Sequence, residues 1–253
     1  MNAHALKTEA SDYSALEATV RIDLAAAYRL VALFGWDDLV FTHISARVPG
    51  PEHHFLINPF GWMFEEITAS SLVKVDLHGN VVGETTEMVN PAGFTIHSAV
   101  HEARPDAGCV MHLHTVAGTA VSSQEAGLLP LNQTAMLLNG KVAYHDFEGV
   151  ALDHDERPRL VADLGDKSAM ILRNHGTLVA GASVAEAFTT MYFLERACEM
   201  QVAAQGGGPL RIPDDHVQGV VEEQSQGLSV VANGLVWPGL LRRLKRLNPG
   251  YDA

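Results

Sequence analysis

Cysteine is scarce in this chain: Cys109 and Cys198 are the only two in 253 residues. Two thiols make no disulfide framework, so both are expected to be buried apolar side chains, as in a reducing compartment. Positive charge is also scarce, with 17 Lys and Arg against 30 Asp and Glu and a formal net charge of −13. That balance argues against nucleic acid or an anionic membrane surface as a main partner. The one basic stretch, Arg242-Arg-Leu-Lys-Arg246, has Leu240, Leu241, Leu244 and Leu247 running through it at helical spacing. It reads as the solvated face of an amphipathic C-terminal helix. No apolar run approaches membrane-spanning length, and Met1 to Ala10 lacks the apolar centre of a secretory signal, so a soluble cytoplasmic protein is expected. Aromatic residues make up only 7%. Trp36, Trp62 and Phe64 could wall a pocket, but core packing is the default for such side chains.

With 47% hydrophobic residues and a mass of 27.3 kDa, the chain suits one large α/β domain. Residues 1–11 read as a loose tail, 12–205 as the domain, and 206–253 as a helical extension. The extension is expected to pack on the domain or on a neighbouring subunit. A capping box, Ser14-Ala-Leu-Glu17, predicts a helix running to Phe34 before Gly35. Short strands are expected around Ile44–Val48 and Phe55–Ile57, and a hairpin about His78-Gly-Asn80. A second capping box, Ser183-Val-Ala-Glu186, opens a long helix that Gly206-Gly-Gly-Pro209 stops. Strands interspersed with helices point to a sheet flanked by helices.

Thirteen histidines are many for a chain of this length. His112 and His114 lie in the β-prone run Gly108-Cys-Val-Met-His-Leu-His-Thr115. Alternation along a strand sends both imidazoles to one side and Met111 and Leu113 to the other. Two imidazoles side by side on a rigid strand make half of a metal site for zinc, iron, copper or nickel. His175, in Arg173-Asn-His-Gly176 at the end of another apolar strand, is the third candidate ligand. The bland alternative is a set of core histidines satisfied by hydrogen bonds.

Several motifs together resemble the class II aldolase/adducin family. They are Thr42-His-Ile-Ser-Ala-Arg47, Asn58-Pro-Phe-Gly61, Asn90-Pro-Ala-Gly-Phe-Thr-Ile-His97, Met111-His-Leu-His114, Leu172-Arg-Asn-His-Gly176, and Glu186-Ala-Phe with Leu194-Glu-Arg-Ala-Cys198. The resemblance implies a three-layer α/β/α fold with a central, mainly antiparallel sheet. It also implies a divalent metal, zinc foremost with manganese or iron(II) as alternatives, on His112, His114 and His175. A homotetramer with active sites at subunit interfaces follows from the same likeness. The departures are informative. The family's acid/base Glu, four residues before His97, is Gly93 here, and its two phosphate-cradling serines are Pro91 and Ala92. The chain therefore resembles the adducin-like bacterial branch, and a sugar-phosphate substrate is not expected, because a phosphate needs several donors.

A three-histidine site leaves coordination positions open for a substrate oxygen. Decarboxylation needs such an electron sink and only an acid to return a proton, whereas aldol cleavage also needs a base. Without the Glu, the acid/base candidates are His43 and the Tyr144-His145 pair, with Tyr192 possible from a helix. Ser45, Arg47, Gly61, Gly93 and His97 are expected to face substrate, with Arg47 as a candidate for pairing bidentately with a carboxylate. His101 is expected to be structural, and Glu195 to join a helix-to-helix ion pair. The expected function is a metal-dependent carbon–carbon lyase, decarboxylase- or aldolase-type, acting on a small non-phosphorylated oxo or hydroxy acid. An oxygen-dependent iron decarboxylase on the same histidines and a non-enzymatic adducin-like scaffold are the rival readings.

Overall fold

The computed structural model describes residues 3–149 and 154–253. Its elements run α1 (Ala3–Phe34), β1 (His43–Arg47), β2 (Phe55–Ile57), β3 (Val73–Val75), α2 (Pro91–Ala103), β4 (Cys109–Leu113), α3 (Val116–Ser122) and α4 (Gln133–Met136). There follow β5 (Val142–His145), α5 (Arg157–Leu164), β6 (Ala169–Leu172), β7 (Gly176–Gly181), α6 (Val184–Gln205), α7 (Asp215–Gln224), α8 (Leu228–Val231) and α9 (Trp237–Leu247).

The seven strands form one sheet in the order β3-β2-β1-β4-β7-β6-β5. Neighbours are antiparallel except β5 and β6, which are parallel. β4 sits in the middle and is buried along its whole length. Strand alternation sorts its side chains between two cores. Cys109, Met111 and Leu113 pack with Tyr28, Val31, Phe188 and Met191 of α1 and α6. Val110 packs on the opposite face with Ile96, Val100 and Leu160 of α2 and α5. Helices thus cover both faces of the sheet, giving the expected three layers, and His112 lies on the α2 side with Val110.

Local signals explain most boundaries. Thr115 caps α3 by accepting from the Gly118 amide at 3.1 Å. At the predicted Ser183–Glu186 box, Ser183 Oγ accepts from the Glu186 amide at 3.2 Å, while Glu186 Oε2 accepts from the amide of Ala182 at 3.0 Å. The first predicted box is not one. Helix α1 already begins at Ala3, through the stretch read as a tail, because Ala, Leu, Lys and Glu there are strong helix formers. Glu17 instead pairs with Arg21 at 2.9 Å and with Lys74. The expected hairpin about Gly79 reduces to one bridge, Val75 to Val81.

The C-terminal segment folds back onto the domain of its own chain. Trp237 Nε1 donates to Asp23 Oδ1 at 2.9 Å, and Arg29 Nη1 donates to Asn248 Oδ1 and the Pro249 carbonyl at 2.9 and 2.6 Å. Among the described residues, no helix is long and apolar enough to cross a membrane.

Candidate metal centre

His112 stands on β4, and β1 sets His43 directly opposite it in the antiparallel register. His114 lies just beyond the strand end, and His175 occupies the tight turn between β6 and β7. That turn explains its own sequence. Asn174 has a left-handed φ of +55°, which Asn tolerates better than most side chains. A Cβ on Gly176 would lie 2.5 Å from the Leu113 carbonyl, so only glycine lets β7 approach β4 this closely.

The three imidazoles offer ligand atoms within 4.8 Å of one another. His112 Nε2 and His114 Nε2 are 3.0 Å apart. Their other nitrogens are taken: His112 Nδ1 by the Thr177 carbonyl at 3.0 Å, and His114 Nδ1 by Asp38 Oδ2 at 3.0 Å. A carbonyl and a carboxylate only accept, so both Nδ1 atoms carry protons and both Nε2 lone pairs converge. A carbonyl or carboxylate behind a ligating imidazole is the usual support of a metal-binding histidine. Tetrahedral nitrogen ligands at about 2.1 Å from zinc would stand roughly 3.4 Å apart, which fits this spread. Burial, followed by repulsion from neighbouring imidazoles, holds His112 well below the usual histidine range. The same causes lower His175 to about 4. Neutral imidazole is the metal-binding form.

Asp38 carries no sequence pattern that marks it, and only the structure brings it to His114. Asp38→Ala is expected to weaken metal affinity about 10- to 100-fold while leaving the fold intact. A competitive chelator titration reads this directly, and an unchanged affinity would mean that Asp38 does not support His114.

Beside the three ligands lies a buried polar chain. His43 Nδ1 and His97 Nε2 are 3.0 Å apart, His97 Nδ1 and Ser45 Oγ 2.6 Å, and Ser45 Oγ and His101 Nε2 2.8 Å. All four side chains are at most 3% exposed. Burial lowers His43 and His101 to about 3 and puts His97 well below its usual range. The ring of His43 is 5.4 Å from that of His112. A Cβ on Gly93 would meet the His43 ring at 2.3 Å. The imidazole of His43 therefore fills the space into which a larger side chain at position 93 would project.

Other expected site residues sit elsewhere. Arg47 donates to the carbonyls of His101, Arg104 and Ala107 and so caps the end of α2, leaving no bidentate face for a carboxylate. Ser45 is fully buried and engaged with two histidines rather than turned toward solvent. Tyr144 accepts from the Leu128 amide at 3.1 Å and lies under the Arg173 guanidinium, pointing away from the ligands because β5 alternates. His145 lines a small cleft with His175, yet Asp163 and Glu156 occupy its nitrogens at 2.7 and 3.3 Å. Both His145 nitrogens are thus engaged by carboxylates, and the Tyr144 hydroxyl is held at Leu128, away from the ligands. Tyr192 packs against Phe34, Trp36 and Phe193, in a core cluster. Gly61 turns the chain with a φ of +97° and open space where a side chain would begin. Glu195 accepts a short hydrogen bond from Thr115 instead of joining an ion pair, because its burial under α3 leaves it facing a hydroxyl. That burial raises its carboxyl to about 7.

Residues 22–202 match the family model described as "Class II Aldolase and Adducin N-terminal domain". A protein of Caulobacter vibrioides named "Putative aldolase class 2 protein" is 58% identical over 241 residues, covering 94% of this chain and 93% of that one. The alpha-adducin of Rattus norvegicus is 51% identical over 202 residues, covering 78% of this chain but only 27% of the adducin. The solved structure of an L-fuculose 1-phosphate aldolase from Glaciozyma antarctica superposes with a TM-score of 0.82 at 30% identity, covering 93% of each chain.

Proposed function

Because this chain belongs to the class II aldolase and adducin family, we propose that it is a metal-dependent carbon–carbon lyase of decarboxylase or aldolase type. Its substrate is a small non-phosphorylated oxo or hydroxy acid. The observation that carries this reading is the convergence of the His112 and His114 Nε2 lone pairs beside His175, each of the two rings held from behind by an acceptor. Bound there, a divalent ion such as zinc, manganese or iron(II) supplies a Lewis acid for negative charge developing on a substrate oxygen.

The protein's own residues supply the rest. His43 lies against Gly93, where the resemblance implies an acid/base Glu, and its ring is 5.4 Å from that of His112, which supports His43 as the group that holds or returns the proton. Gly93 leaves room for the His43 ring. His97 contributes through His43, to which it is hydrogen-bonded. Pro91 and Ala92 in place of two hydroxyls support a substrate without phosphate.

The rim of the centre supports a homo-oligomer, for which the family suggests a tetramer. Leu39, Phe41, Val116 and Phe147 are 57%, 54%, 89% and 54% exposed. They flank Asp38, His43, His114 and His175, and so many apolar side chains around one site are best covered by a neighbouring subunit. A soluble, cytoplasmic setting completes the reading.

The adducin likeness favours a second reading, a scaffold without chemistry. Elemental analysis of anaerobically purified protein decides between them, beside a His112→Ala/His114→Ala double variant. About one metal per chain, lost in the folded double variant, is expected. No uptake even in excess metal would leave the scaffold. A panel of non-phosphorylated oxo and hydroxy acids, read for carbon dioxide, aldehyde and oxygen uptake, then separates decarboxylation, aldol cleavage and oxygen-dependent iron chemistry. On the substrate so found, His43→Ala is expected to lower kcat about 10²- to 10⁴-fold with the metal retained. Full turnover in that variant would remove His43 from the reaction.

A further inference from the structure

We infer that Glu195 and Thr115 position the metal centre from behind, by clamping the short helix α3 that holds His114 at one end and the His175 turn along its length. This rests on the reading of His112, His114 and His175 as ligands, and it adds two positioning residues that act through α3.

Helix α3 is joined to the centre at both ends and between. Its N-cap, Thr115, follows His114 directly in the chain. One turn on, the Thr119 hydroxyl donates to the carbonyl of His175 at 3.3 Å. At the helix end the Ser122 carbonyl accepts from the Asn174 amide at 3.2 Å, in the left-handed turn that carries His175. A helix of 7 residues has too few internal hydrogen bonds to fix itself, so its placement must come from outside.

Glu195 supplies that anchor. The Thr115 hydroxyl accepts from the Gly118 amide at 3.1 Å and donates to Glu195 Oε2, so one oxygen ties the first turn of α3 to the 22-residue helix α6 behind it. The packing there excludes any side chain at Gly118. A Cβ would lie 2.6 Å from Thr115 Oγ1, 3.0 Å from Thr177 Cγ2 and 3.3 Å from Glu195 Oε2. Thr177 is the residue whose carbonyl holds His112 Nδ1, so the same contact reaches the third ligand. As a device for stability alone the arrangement is poor. Glu195 is only 3% exposed and has a hydroxyl rather than a cation for its side-chain partner, and a leucine of similar volume would avoid the cost of burying it. What the carboxylate adds is a strong, directional hold on Thr115.

The test uses Glu195→Leu, Thr115→Val and Glu195→Gln, whose amide oxygen still accepts from Thr115. Each protein is measured metal-free for amide hydrogen exchange and urea stability, and then for zinc affinity by competitive chelator titration. Glu195→Leu and Thr115→Val are expected to speed exchange at the Asn174 amide about tenfold, since that amide hangs on the far end of α3. Both are expected to bind zinc about tenfold or more weakly. Glu195→Gln is expected to restore most of both. A merely structural Glu195 would lower the urea midpoint and leave the zinc affinity of the folded protein as it was. That result, or unchanged exchange at Asn174 beside weakened zinc binding, overturns the inference. Should Glu195→Leu not fold, Thr115→Val carries the same readouts. If the wild type takes up no zinc, the ligand reading fails instead, and exchange at Asn174 alone then decides whether Glu195 clamps α3.

Discussion

Gly93→Ala is expected to destabilise the protein by about 1 to 3 kcal/mol and to abolish most of its activity, although alanine is the better helix former. Glycine within a helix costs about 1 kcal/mol relative to alanine, so propensity alone would make the substitution stabilising in the first turn of α2. Sterics decide the sign. The new methyl would lie 2.3 Å from His43 Cδ2 and 2.6 Å from Nε2, distances that real Cβ contacts do not reach. The ring cannot move away cheaply, because Nδ1 is hydrogen-bonded to His97 and the side chain is only 3% exposed. Either the ring turns and breaks that bond, or α2 shifts from the sheet. A displacement of about 1 Å at a catalytic group can cost 10²-fold in rate. The double variant Gly93→Ala/His43→Ala isolates the cause. Its stability is expected within about 1 kcal/mol of His43→Ala alone, a coupling of the size seen for residues in contact. Urea denaturation of all four proteins measures this. Additive losses would mean that Gly93 is needed for some reason other than the ring of His43.

The same contact shows what the sequence could and could not reveal. Periodicity and caps located the sheet strands and the long helix α6, because burial on one face writes itself into spacing. The His-x-His pair was legible for the same reason, since strand alternation alone places both rings on one side. That an imidazole at position 43 takes up the space beside Gly93 is a fact about register. β1 must lie beside β4 with His43 opposite His112 before α2 can press Gly93 onto that ring. No local pattern encodes such a pairing. Arg47 shows the converse error: a charged side chain two residues after Ser45 looks like a ligand for substrate, yet the end of α2 needs its carbonyls capped and takes the guanidinium first. His145 and Tyr144 fail likewise, each taken up by neighbours distant in sequence. Asp38 was invisible because a lone acid in a loop has no spacing to read.

Acid should unfold the metal-free protein unusually steeply. His43 and His101 are lowered to about 3 and His175 to about 4, all three chiefly by burial. A folded-state pKa below the unfolded value near 6.5 means that unfolding takes up protons. Stability is therefore fully present above pH 6.5 and is lost as pH falls from there toward 3. Each such histidine contributes a slope of about 1.4 kcal/mol per pH unit within that window. These three together predict a loss of about 4 kcal/mol between pH 7.5 and 5.5, against a total stability of about 5 to 15 kcal/mol for an ordinary domain. His97 and His112, also lowered chiefly by burial, act in the same direction. Chelator-treated protein, denatured with urea at pH 7.5, 6.5 and 5.5, provides the measurement. His101→Phe separates the histidine term from general acid sensitivity, because it removes one of the three groups and should flatten the slope by about a third of their sum. Stability that held within about 1 kcal/mol across this range would mean that these imidazoles reach water or share a proton in the folded state, contrary to the burial from which the prediction starts. Loading the centre should move the transition in a telling way. A metal on His112, His114 and His175 binds only neutral rings, so it stabilises most near neutrality and is released as the ligands protonate. The loaded protein should therefore gain over the metal-free protein at pH 7.5 and lose that gain by pH 5.5.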